Sequence, residues 1–147
     1  MNTTQENENT ELIYDQLATA QRRIHIAGAG HDLQAACHGL AFECGWWHDL
    51  KTGEDMRGKR NVGELLCLIH SEVSEAMEAH RKGKMDDKLP HRTGLEVELA
   101  DAVIRIFDLA GGYGLDLGWA IAEKLEYNAS RADHKPENRA KEGGKSY

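Results

Sequence analysis

Two pairs of acids stand at one spacing in this chain: Glu72 and Glu75, then, after 22 residues, Glu98 and Asp101. A step of three places both members of a pair on the same side of an α-helix. Around Glu72 the apolar residues Val62, Leu65, Leu66, Leu68, Ile69, Val73, Ala76 and Met77 recur at helical spacing. At about 100° per residue, Glu72 projects between Leu65 and Leu68, inside the apolar arc, and Glu75 lies at its edge. A carboxylate among apolar side chains is very costly without a partner. In "GLEVELADAVIRIFDLAGG" the polar residues Glu98, Asp101, Arg105 and Asp108 form one stripe roughly 80° wide on an otherwise apolar helix. That helix is expected to be central. Four facing carboxylates repel, and a hard divalent cation with oxygen ligands, Mg²⁺ or Mn²⁺ in its place, resolves the repulsion. Glu72, Glu75, Glu98 and Asp101 are thus candidate metal ligands. Glu75, at the rim, is also the candidate general base. The competing interpretation is structural, with Glu98 and Asp101 paired to Arg105 and other basic residues. Neither Glu-x-x-His nor H-E-x-x-H occurs, which excludes the common di-iron and zinc-protease patterns.

A second constellation lies in "LGWAIAEKLEYNASR". Lys124, Asn128 and Arg131 are four and three residues apart, so they share a helix face. Lys offers a point charge, Arg a bidentate fork and Asn an orienting amide, a set suited to phosphate. A solvated face near a helix C-terminus explains the same cations. Beside a carboxylate–metal site, a polyphosphate ligand accounts for both constellations. "CGWWHD" adds Trp46 and Trp47, of which only one can enter a core from a helix. The other is left to stack on a nucleobase or to cover a subunit interface. Asn61 and Lys145 are further candidates for base or tail contacts.

The elements that must position these residues read as helices throughout, so an all-α bundle of four to five helices is expected. Residues 1–10 are polar and expected to be disordered, 11–131 to form the domain, and 132–147 a polar flexible tail. Helices are expected at 11–27, broken by "AGAGHD"; at Asp32–Trp47; from Asn61 to Lys82–Gly83; from Thr93 to Gly112; and at Asp116–Arg131. Asn61 with Glu64, and Thr93 with Glu96, have capping-box spacing.

The 147 residues suit one domain. A net charge of −7 disfavours nucleic acid and anionic membrane as partners. No apolar run nears the roughly 20 residues needed to span a bilayer. The opening segment has no signal- or transit-peptide character. Three cysteines without a CxxC pair exclude a disulfide framework and a structural zinc site. They point to a reducing cytoplasm, with all three cysteines buried as small apolar residues.

Glu72-x-x-Glu75 followed by Glu98-x-x-Asp101 resembles the signature of the MazG-like all-α nucleoside triphosphate pyrophosphatases. Lys124-x-x-Tyr127-Asn128-x-x-Arg131 is similar to that family's third motif, and the closing "GGKSY" to the Gly-Gly-Lys tail of some members. The resemblance covers Asn61 to Arg131; the segment before Asn61 is less typical. It implies a homo-oligomer, a dimer or a tetramer of dimers, with Mg²⁺ held by the four acids. Lys124, Asn128 and Arg131 would contact phosphate. The implied reaction hydrolyses a (deoxy)nucleoside triphosphate to the monophosphate and pyrophosphate, as nucleotide-pool housekeeping. Alternatives are phosphoribosyl-ATP pyrophosphohydrolase or nucleoside diphosphatase activity on the same fold, or a non-catalytic nucleotide-sensing oligomer.

Overall fold

A computed structural model describes residues 3–141, with side chains described from residue 18. Lys145 and the rest of "GGKSY" lie outside the described residues. Those residues are all-α, with four main helices and no strand: α1 Thr3–Glu43, α2 Val62–Lys82, α3 Gly94–Gly112 and α4 Leu117–Ser130. A 3₁₀ turn, Ala132–His134, and a short helix α5, Pro136–Arg139, follow within the segment expected to be a flexible tail. The chain divides into two compact units. One is Asp32–Leu115; the other combines the residues up to His31 with those from Asp116 on.

The expected break at "AGAGHD" does not occur, because α1 runs unbroken from Thr3 to Glu43. Helical glycine costs about 1 kcal/mol relative to alanine, but here glycine serves close packing. A Cβ on Gly30 would sit 2.6 Å from the Cα of Gly118, and one on Gly118 would sit 2.5 Å from the carbonyl oxygen of Ala27. The backbones of α1 and α4 meet where neither carries a side chain. His31 Nε2 and Asp116 Oδ1 lie 2.8 Å apart beside this crossing, and Asp116 also caps α4 by accepting from Trp119 N–H. Those two bonds, the His31 bond the larger influence, hold the Asp116 carboxyl below its usual range.

In the other unit, α2 and α3 form an αα-hairpin. Asn61 caps α2 by accepting from the Gly63 N–H at 2.9 Å. Gly83, with φ 61°, ends α2 in the left-handed conformation that glycine adopts without strain. Gly94 N–H donates to Lys84 O, and Asp86 N–H to Arg92 O, pinning the connection. Thr93 and Glu96 complete the anticipated capping box of α3. Gly94 then packs on Ala79, where a Cβ would come within 2.9 Å of the alanine's own. This link, residues 83–93, pinned by its own hydrogen bonds, leaves α2 and α3 antiparallel, so the second half of α2 faces the first half of α3.

The core of this unit is small: Trp47, Ala76, Ala102, Phe107 and Ala110 are buried. The expectation that α3 is enclosed all round is not met in the single chain, where Leu99, Val103, Ile104 and Ile106 remain 38–48% exposed. One antiparallel neighbour covers only part of a helix whose apolar residues run around most of its circumference. The expectation that all three cysteines are buried is also corrected. Cys37 is half-buried, while Cys44 and Cys67 are exposed, Cys44 just past the end of α1 and Cys67 on an uncovered side of α2. No described helix is long and apolar enough to cross a membrane.

Candidate functional site

The hairpin brings three of the four acids together. Glu72 from α2 and Glu98 and Asp101 from α3 each offer one carboxylate oxygen, and these oxygens lie within 4.8 Å of one another. Glu72 is the one charged residue buried among those described, at 6% exposure. Its partner is Arg105, whose Nε donates to Glu72 Oε1 at 2.6 Å. The competing ion-pair interpretation therefore holds for a different acid: Arg105 takes Glu72 from the facing helix.

Burial, then the charges of Glu75 and Glu72, raises the Glu98 carboxyl above its usual range. Burial, then Glu72, raises Asp101 as well, with Arg105 pulling the other way. Glu75 is exposed and is not one of the three converging acids, although its charge is felt by Glu98. It lines a cleft of about 190 Å³ with Glu98, Glu78, Lys84, Asp86 and Asp87.

The donor set suits a hard cation. Octahedral Mg²⁺ with bonds of about 2.0–2.1 Å takes ligand oxygens about 3–4 Å apart, and the three oxygens here lie within 4.8 Å of one another. All three atoms are carboxylate oxygens, and the charge of Glu72 helps raise both Glu98 and Asp101, a repulsion that a cation relieves.

Asp101 also borders a cavity of about 330 Å³ that takes in Trp46, Arg60, Arg105 and Asp108. The helix expected to reach Trp47 ends at Glu43, so both tryptophans stand in the turn that follows. Trp47 is fully buried and Trp46 is 68% exposed. Trp47 Nε1 donates to Asp108 Oδ1 at 2.6 Å, and His38 Nδ1 lies 2.9 Å from the same oxygen. Gly111 and Gly112 leave space against which His38 and Trp47 pack directly. Arg60 Nη1 donates to Trp46 O at 3.0 Å, and the Arg60 carbonyl accepts from the Tyr113 hydroxyl. Asn61 is spent on capping α2.

Sequence reasoning did not find this His38–Trp47–Asp108 group. Asp108 lay on the recognised polar stripe, seven residues beyond Asp101, but nothing local links it to a histidine on α1.

Lys124, Asn128 and Arg131 belong to the other unit. Lys124 Nζ and Arg131 Cζ lie 4.8 and 5.9 Å from the centre of the Tyr127 ring, so the aromatic gathers both cations. Arg131 is not on the helical face as expected. It is the C-cap of α4, in extended conformation, and its guanidinium pairs with Asp133 at 2.6 Å. Compared with protein-family models, curated proteins and solved structures, the chain matches none.

Proposed function

We propose that this chain is a divalent-cation-dependent pyrophosphohydrolase of (deoxy)nucleoside triphosphates, of the MazG-like kind. One observation carries the reading: carboxylates of Glu72, Glu98 and Asp101, from two facing helices, converge within 4.8 Å around a buried acid. Glu72, Glu98 and Asp101 would hold Mg²⁺, or Mn²⁺ in its place. Such an ion polarises phosphoryl oxygens and lowers the pKa of a bound water. Arg105 positions Glu72 and offsets part of the cluster's charge. Glu75, exposed and near enough for Glu98 to feel its charge, would accept the proton of the attacking water. Lys124, Asn128 and Arg131 contribute the residue types that a phosphate needs. The half-exposed apolar residues of α2 and α3 support a homo-oligomer.

The test is pyrophosphate release from a panel of ribo- and deoxynucleoside triphosphates, with and without Mg²⁺. Turnover should require the ion, and Glu72→Gln should lower it about a hundredfold or more. Release of pyrophosphate from none of the panel would sink the reading. Retained turnover in Glu72→Gln would remove Glu72 from the site.

A further inference from the structure

We propose that Arg105 is the acid cluster's resident cation: it lets the chain fold without a metal ion, at a cost in affinity for one. The proposal rests on the cation site of the pyrophosphohydrolase reading and concerns what keeps that site assembled without an ion.

Glu98, Asp101 and Arg105 follow one another at steps of three and four on α3, so they share a side of the helix. Glu72 meets them from α2. Its side chain is 8% exposed and that of Arg105 is 43%, so the guanidinium reaches from the surface to a buried carboxylate. An ionised carboxylate buried without a partner is very costly, and taking one member from a buried pair leaves the other in that state. Arginine keeps its proton throughout the physiological range, so the countercharge is permanent. It is felt by a second acid as well, because Arg105 draws the Asp101 carboxyl down against burial and Glu72. Asp108, the next polar residue on the stripe, is held by Trp47 and His38 instead.

Where ligands converge only in the presence of a metal, binding and folding are one event. Here Arg105 supplies part of the charge that an ion would otherwise have to bring, so folding and metal binding separate. The same positive charge opposes an incoming cation. Without Arg105 the fold should lean on the ion, and the ion should bind more tightly.

The experiment compares the full chain with Arg105→Met, since methionine and arginine have similar helix propensity. Melting at pH 7 is followed by calorimetry in chelator and in excess Mg²⁺, and Mn²⁺ binding is titrated with no nucleotide present. In chelator the variant should melt about 10 °C below the parent, the scale of an unpaired buried charge in a chain of this size. Mg²⁺ should raise the variant more than the parent, so that the gap narrows. Mn²⁺ should bind the variant about tenfold more tightly. A gap that Mg²⁺ leaves unchanged or widens, or Mn²⁺ binding no tighter than in the parent, overturns the proposal. If Arg105→Met does not fold in chelator, recovery in Mg²⁺ supports it. If the variant folds in neither, the double variant Glu72→Gln with Arg105→Met decides. With both charges gone it should fold in chelator, and failure to do so overturns the proposal. Pyrophosphate release is read separately. An ion-dependent gap in a chain that cleaves no triphosphate keeps this proposal and sinks the pyrophosphohydrolase reading; cleavage with an ion-independent gap does the reverse.

Discussion

Glu98 and Asp101 carry the cost of the cluster. Both carboxyls titrate above their usual range, burial being the largest cause and neighbouring carboxylates the next. A carboxyl with a raised folded-state pKa binds more protons folded than unfolded between its two pKa values. Its effect on stability is therefore absent below the unfolded value and destabilising as pH rises through the folded one. Glu98→Gln should melt at a higher temperature than the parent at pH 7 in chelator, with the gap closing toward pH 4. Mg²⁺ should stabilise the parent at pH 7 more than the variant. Calorimetric melting at the two pH values checks both, and a gap that widens in acid would contradict the origin assigned to the raised pKa values. Glu72 is different, because Arg105 already answers its charge. Its wheel position foretold burial, since local periodicity decides which side of a helix faces inward. Its partner lies 33 residues away, and only packing brings the two together.

At the scale of elements, the caps were legible and the continuity of α1 was not. Asn61, Thr93 and Gly83 act where their residue types suggested, since a cap depends on backbone groups within four residues. Gly28 and Gly30 read as breakers because propensity counts only their local cost. The gain at Gly30 comes from Gly118, 88 positions away, whose Cα would be 2.6 Å from an added Cβ. Gly30→Ala should accordingly destabilise the chain by about 1–3 kcal/mol, through overpacking, although alanine is the better helix former. Urea unfolding of the variant checks this. A stabilised Gly30→Ala would show that the two backbones do not meet. The α2–α3 link works in the same way for the site, because the bonds from Gly94 N–H to Lys84 O and from Asp86 N–H to Arg92 O, with Gly94 packed on Ala79, bring the acids of both helices onto facing segments.

At the scale of the whole molecule, the uncovered apolar surface is the main clue. Leu66, Val73 and Met77 lie within about 40° on α2, and Leu99, Val103 and Ile106 within about 60° on α3. Their exposures run from 38% to 68%. We propose a second copy of the chain as the cover of this surface, as the resemblance implies. Sedimentation should give a species of at least twice the 16.4 kDa chain mass. Met77→Glu should shift it toward monomer, by placing a charge in the contact. A monomeric parent at micromolar concentration would contradict the oligomer.

By itself the sequence determined the helical class, the caps of α2 and α3, the inward position of Glu72 and the pairing of acids on two helices. These follow from periodicity and from hydrogen bonds within one turn of helix, which short stretches encode. Tertiary structure decided the rest. It chose Arg105 as the partner of Glu72, left Glu75 outside the converging three, buried Trp47 while exposing Trp46, and tied His38 to Asp108. Each of these outcomes is a contact between residues far apart in the chain. Their distance depends on how helices end and cross, and side-chain type and spacing do not contain that information.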